Sequence, residues 1–320
     1  MTKTLKTLII AFGIPLIYAM IIGFSFGMKI EGFGDLFSVM STTFIFVLPT
    51  IMGALTVYLS EKSRASSVAY RIFAPWIPIF LFLLVTMVFS IEGWACWLMI
   101  LPVFLLAATI GGFAGGYLRG QWRNDKLNIS ILFLLPFLIA PMESLVDSIP
   151  GEYKAYTYID IDAPIEKIWD NVTKVSEIEA SEDTGYLNKT LGFPRPIKAE
   201  LNFEGVGAYR KTIFTNGLVF HETVTEYIDN EKMVFTIKAY PHEIPSTTLD
   251  EHVVIGGEYF DVLNGTYELE QLPNGINRLH LYSKFELDTT FDFYAGLWAK
   301  WIMKDIQNNI LRVAKKRAEK

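Results

Sequence analysis

Cysteine is almost absent from this 320-residue sequence: Cys96 stands alone in an apolar run, so no internal disulfide can form. Histidine is nearly as scarce, with four in the chain, and no G-x-S-x-G elbow occurs, so nucleophilic catalysis lacks its usual residues. Charge is sparse in the first 150 residues, which hold nine Lys/Arg and seven Asp/Glu; the rest holds 19 and 27, a net of minus 8. An acidic second half with no basic stripe argues against a nucleic-acid partner, because nothing there would displace the counterions of a phosphate backbone. "FGDLF" and "GVGAY" carry no dinucleotide fingerprint. His242, Glu243, Asp250 and His252 match no zinc spacing, so neither a cofactor nor a metal is expected.

What the chain has in excess is long hydrophobic runs, with 51% apolar residues and a mean hydropathy of +0.31. A bilayer core of about 30 Å takes about 20 apolar residues per helix. Residues 8–27, 36–59, 72–91 and 95–118 meet that length, and 127–147 meets it with Pro136, Pro141 and Glu143 inside, so this fifth segment either crosses or breaks at the interface. Lys3 and Lys6, then Lys62, Arg64 and Arg71, then Arg119, Arg123 and Lys126 fall in alternate loops, which places the N-terminus in the cytoplasm. Five crossings would leave the second half outside the cytoplasm; four would leave it inside. Gly111, Gly112, Gly115, Gly116 and Gly120 permit close helix approach, either within the bundle or at a homo-oligomer face. Nothing resembles the paired charges and repeated broken helices of a transporter.

From Gly151 the pattern changes. "YKAYTYIDID" alternates like a strand, and "APIEKIWDNV" puts Ile165, Ile168, Trp169 and Val172 at helical spacing behind Pro164. Period-two runs follow at 198–203, 206–214, 218–228, 232–239, 252–271 and 277–287, with turn signals at Asn216-Gly217 and Asn274-Gly275. A last helix over about 290–318 carries an apolar stripe of Tyr294, Trp298, Trp301, Ile302, Ile306, Ile310 and Val313. The fold class expected is therefore a membrane all-α bundle over 1–150 joined to an α+β domain over 151–320, a curled antiparallel sheet around a long C-terminal helix.

The stretches "IDAPIEKIWDNV", "GVGAYRKTIF", "GLVFHETVTEY", "GGEYFDVLNGTYELEQL" and "YAGLWAKWIMKDIQNNILRVAKKRAE" together resemble the SRPBCC superfamily of START-like, birch-pollen-allergen-like and polyketide cyclase/dehydrase-type proteins. The likeness covers residues 153–318 and rests on element order with loose motifs, none of them catalytic. It implies a helix-grip fold with a deep cavity for lipids, sterols, polyketides or other apolar molecules, and leaves the reaction open, since that superfamily includes carriers, cyclases and regulators.

Register follows from the hairpins, because directly paired residues share a face. A two-residue turn at Asn216-Gly217 pairs Ile213 with Phe220, Lys211 with Glu222 and Tyr209 with Val224. The next turn, at Asn230-Glu231, pairs Ile228 with Met233, Glu226 with Phe235 and Val224 with Ile237. The last hairpin pairs Leu269 with Leu279, Tyr267 with Leu281 and Leu263 with Phe285, leaving Ser283 inside and His280 outside. Expected ligand contacts are accordingly Tyr209, Lys211, Phe220, Glu222, Val224, Phe235, Tyr267 and Ser283, with His252 and Glu258 at the mouth and Trp298 and Trp301 from the last helix. Lys211 opposite Glu222 is a cross-strand ion pair, a ligand contact or an acid/base pair; a slip of one residue would bring in Arg210 and His221 instead. The expected role is binding, sensing or presenting an apolar small molecule or lipid beside a membrane. The alternatives are a cyclase/dehydratase- or hydrolase-like enzyme drawing protons from Glu222, Lys211 or His252, and a protein-contact module with a filled interior.

Overall fold

Uncharged runs of Leu, Ile, Phe and Ala are poorly solvated by water and coil into helices that satisfy their own main-chain hydrogen bonds and share apolar surface with one another. In the computed structural model, which describes residues 3–27, 38–121, 125–143, 145, 149–244 and 254–320, these runs lie in α1 (Lys3–Gly27), α2 (Leu48–Tyr58), α5 (Trp76–Val88), α6 (Trp94–Gln121) and α7 (Asp125–Glu143), with the short charged helices α3 (Lys62–Ala65) and α4 (Val68–Phe73) between α2 and α5. They make up one compact unit, Met1–Ser148; Ile149–Lys320 is a second. Among the described residues three stretches, Leu5–Phe26, Val68–Val88 and Trp94–Gly120, are long and apolar enough to cross a membrane. The expected spans 36–59 and 127–147 contain the shorter apolar helices Thr43–Tyr58 and Phe133–Glu143.

The first unit turns greasy side chains outward, among them Ile17, Phe24, Phe80, Leu84, Leu106 and Ile110, while Thr56, Ser60 and Thr86 are buried. Each buried hydroxyl returns a hydrogen bond to its own helix: Thr56 Oγ1 to the Met52 carbonyl at 2.7 Å and Ser60 Oγ to that of Thr56 at 2.7 Å. The glycine run is consumed within the unit. A Cβ at Gly111 would stand 1.8 Å from the Thr50 carbonyl oxygen, at Gly115 2.2 Å from that of Ala54, and at Gly112 2.1 Å from that of Arg71. Glu143 takes hydrogen bonds from the Thr42 and Thr43 amides at 2.5 and 2.9 Å and from Thr43 Oγ1 at 2.7 Å. An acid among apolar residues is thus satisfied by the free amides of another helix start, one π-helical turn (Thr43–Val47) ahead of α2.

The second unit is a seven-stranded antiparallel sheet curled against a long helix, an arrangement consistent with a helix grip. Its elements are β1 (Gly151–Ile161), α8 (Ile165–Thr173), α9 (Leu187–Leu191), β2 (Pro196–Leu201), β3 (Tyr209–Phe214), β4 (Val219–Ile228), β5 (Lys232–Lys238), β6 (Phe260–Gln271), β7 (Asn277–Leu287) and α10 (Asp292–Ala318). Strand order is β1-β7-β6-β5-β4-β3-β2, so the first strand closes one edge beside the last. Within the expected strand 252–271, the described residues 254–259 form no strand and β6 starts at Phe260, because the Gly256-Gly257 bend folds back on Val254 and Phe260. Alternate residues of β1 and β4–β7 meet α8 and α10 in one core that includes Ala155, Ile161, Ile168, Trp169, Phe235, Leu279, Phe285 and Leu311.

Candidate functional site

Both central hairpins have three-residue loops where two were expected. Phe214 and Leu218 close the first around Thr215–Gly217, with Asn216 and Gly217 at φ 60° and 83°. The second pairs Ile228 with Lys232 around Asn230 at φ 61°. Left-handed residues fill the last two positions of the first loop and the middle of the second, and Asn-Gly serves the three-residue form as readily as the two-residue one. One extra loop residue displaces the pairing by one: Glu222 meets Arg210, Phe220 meets Thr212, and Lys211 meets His221. A bulge between Val224 and Glu226 then adds a second residue of offset, which restores the side-chain facing, so Val224 pairs with Phe235 rather than Ile237.

The concave face consequently takes Arg210 and Thr212 from β3 in place of the expected Tyr209, Lys211 and Ile213. From the neighbouring strands it takes Phe220, Glu222, Val224, Met233, Phe235 and Ile237. Ile228 and Glu226, expected inside, are exposed, and Glu226 pairs with Lys232 at 3.0 Å. In the last hairpin Leu269–Leu279 and Tyr267–Leu281 pair as expected, whereas a bulge puts Val262 rather than Leu263 opposite Phe285. Ser283 lies inside.

At the centre is a buried polar network. The Arg210 guanidinium is ion-paired with Glu222 and donates to Thr212 Oγ1 at 3.1 Å; Thr212 Oγ1 donates to the other Glu222 oxygen at 2.7 Å. Arg210 also reaches the Thr173 and Val172 carbonyls at 3.1 and 3.2 Å, the last turn of α8, where a cation is favoured by the helix dipole. Its Cζ lies 5.3 Å from the Phe235 ring centre and 5.9 Å from that of Tyr267. Burial drives the Tyr267 hydroxyl above its ordinary pKa, against the pull of Arg210. Burial, the largest single influence, lowers the guanidinium's pKa; Glu222 and the Tyr267 hydroxyl together outweigh it, so the cation is held. Every formal charge here has a partner, and the network pins α8 to the sheet.

A second polar point lies where α10 crosses the sheet. Gln307 Nε2 donates to Ser283 Oγ at 2.9 Å and to the Ala155 carbonyl at 3.3 Å, while its Oε1 accepts from Thr157 at 3.1 Å. Gln307 was not among the expected site residues. A glutamine one turn from both Met303 and Leu311, each buried, is the signal that would have found it.

The other candidates disperse. Tyr209 and His221 share the convex face, Tyr209 Oη lying 2.6 Å from His221 Nδ1 and Glu243 Oε2 3.0 Å from His221 Nε2. Burial, then the Glu243 carboxylate, raises the Tyr209 pKa. His221 thus stays outside although the slip that would have admitted it did occur. Glu258 is exposed, Trp298 is half-buried with its ring 5.4 Å from that of Trp301, and Trp301 is exposed. His252 and Asp250 lie outside the described residues. Phe220, Glu222, Val224, Phe235, Tyr267 and Ser283 are the expected contacts that the fold brings to one concave face.

No family model matches the chain, and no curated protein matches it. Among solved structures, a structural-genomics protein from Nitrosospira multiformis is 19% identical with a TM-score of 0.34, the match covering 52% of this chain and 96% of that one. An uncharacterised protein from Rhizobium leguminosarum is 16% identical with a TM-score of 0.31, over 53% and 99%. DynU16, from the dynemicin biosynthetic locus, is 14% identical with a TM-score of 0.29, over 52% of this chain and 49% of its own.

Proposed function

We propose that the second unit is a helix-grip domain of the SRPBCC type, and that it holds an apolar small molecule or lipid between the concave face and the first half of α10. The observation that carries this reading is a change of burial along the helix. Met303, Gln307, Leu311, Ala314 and Ala318 are buried against the sheet, but Ala295 and Ala299, packed on the same core, stay partly uncovered. Alanine is the smallest side chain available to line a helix, and the rings of Phe220, Phe235 and Tyr267 supply apolar surface on the sheet. Apolar walls with a few fixed polar groups suit a small-molecule site. Tethering to a membrane-embedded first unit raises the effective concentration of a ligand that partitions into lipid. The N-terminus is cytoplasmic in this reading, and the domain lies on whichever side the number of crossings dictates; protease cleavage in sealed vesicles of known orientation decides between them.

The acid/base alternative loses its strongest member, since Glu222 is engaged by both Arg210 and Thr212. A second reading has its own support: the Arg210 network and the Phe235 and Tyr267 rings occupy the middle of the concave face, as in a protein-contact module with a filled interior. Native mass spectrometry of the whole protein in nanodiscs separates the two. We expect the wild type to carry one apolar adduct that Ala299→Trp, which fills the space, does not. Identical adducts on both proteins would overturn the ligand reading and leave the filled module.

A further inference from the structure

The outer face of α10 is not uniform. Over its second half it is polar and hydrogen-bonded to the loop beside it: Arg312 and Lys316 reach back to Thr184 and Ser181, and Arg317 to Ser176, Glu177 and Glu182. Over the first half it is apolar and open, with Phe293 71%, Leu297 50% and Trp301 54% exposed at spacings of four, and Tyr186, 78% exposed, standing just ahead of α9. Three large apolar side chains on one helical stripe are more than the scattered exposed residue a water-facing surface tolerates.

Two further facts say what covers this stripe. The chain enters the domain at the same end: Gly151, the first residue of β1, lies against the Asp292 carboxylate, the first residue of α10. Just before it, Ile149 is 88% exposed. Seven residues separate Gly151 from Glu143, the end of the last apolar helix, a reach of at most about 28 Å. The open patch also holds residues suited to a membrane interface, Trp301 on the stripe and Tyr186 ahead of α9, with Lys300 and Lys304 on the stripe's flank. Lys300 Nζ sits 5.1 Å from the Tyr153 ring centre, and Lys304 is exposed.

We infer that the first half of α10 docks on the lipid bilayer, with Leu297 and Trp301 sunk into the interfacial zone to the depth of about 5–10 Å typical of a helix lying in it. The partner is the lipid surface itself. This inference needs the first unit to be embedded in the membrane, and it holds whether or not the interior takes up a ligand. Nitroxide labels report it directly in the whole protein, reconstituted in nanodiscs of phosphatidylcholine and phosphatidylglycerol. In a Cys96→Ala background, labels go at Leu297→Cys, Trp301→Cys and, as a water-facing reference on the convex face, Thr223→Cys. Oxygen should relax the first two labels more than a water-soluble nickel chelate does, with the opposite order at 223. Adding Trp301→Glu should move the label at 297 to the behaviour of the reference. Labels at 297 and 301 that behave like the one at 223 would overturn the inference. So would labels shielded from both relaxants, which would mean that protein, not lipid, covers the stripe. An apolar adduct by mass spectrometry together with a water-facing α10 would sink this proposal alone and leave the ligand reading standing.

Discussion

Arg210 faces Glu222 directly across the β3–β4 pair, the two side chains only 4% and 3% exposed, with the carboxylate also held by Thr212 and the guanidinium by two carbonyls of α8. Moving two charges out of water is repaid only where each finds the other and its remaining hydrogen-bond partners. Removing one partner should therefore cost far more than removing both. Glu222→Leu or Arg210→Met is expected to destabilise the second unit by about 3–5 kcal/mol. The double variant should recover a large part of that in denaturant titrations of all four proteins. Lys211→Ala, next door but on the convex face, should change stability by less than about 0.5 kcal/mol.

Gln307 satisfies Ser283, Thr157 and a main-chain carbonyl at once. Gln307→Leu leaves those groups buried without their partner, which for one such group costs about 1–3 kcal/mol. Ser283→Ala removes a single hydrogen bond and should cost about 1 kcal/mol. Hydrogen exchange at Ala155–Thr157 should rise in the first variant more than in the second.

Arg317 holds the Glu182 carboxyl at about 2, against an ordinary 4.5, through contacts of 3.1 and 2.6 Å. Since the folded pKa is the lower one, the pair's contribution is complete above about 4.5 and is lost as pH falls towards about 2. Melting temperature of the wild type should fall through that window by more than that of Glu182→Gln. Parallel curves for the two proteins would assign the acid loss to other carboxylates.

A Cβ at Gly111 would stand 1.8 Å from the Thr50 carbonyl oxygen, a main-chain atom that cannot swing away, so α2 and α6 must separate to admit it. Gly111→Ala and Gly115→Ala should each lower the thermal aggregation temperature of the detergent-solubilised protein. Gly120→Ala, where nothing lies within 4 Å, should not.

Much of the architecture was legible because periodicity is local. Apolar runs near 20 residues marked α1 and α6, period two marked β1 and β3–β7, and the stripe beginning at Tyr294 marked α10. The candidate site was legible only in part. Phe220, Glu222, Val224, Phe235, Tyr267 and Ser283 were placed inside and are inside, whereas Tyr209 and Lys211 were placed inside and are not. β3 offers no help of its own, since each face carries a cation, Arg210 or Lys211, beside apolar groups such as Phe214 or Ile213.

From the sequence alone came the division near residue 150, the uneven charge and the kind of each main element, because these depend on residues within a few positions of one another. The choice between Arg210 and Lys211 as the cation beside Glu222 belonged to the tertiary structure. Side chains alternate with period two, so one additional loop residue at Thr215–Gly217 reverses which face of β3 meets the interior, and the energy that selects that loop resides in contacts with Thr173, Phe235 and Tyr267, far away in the chain.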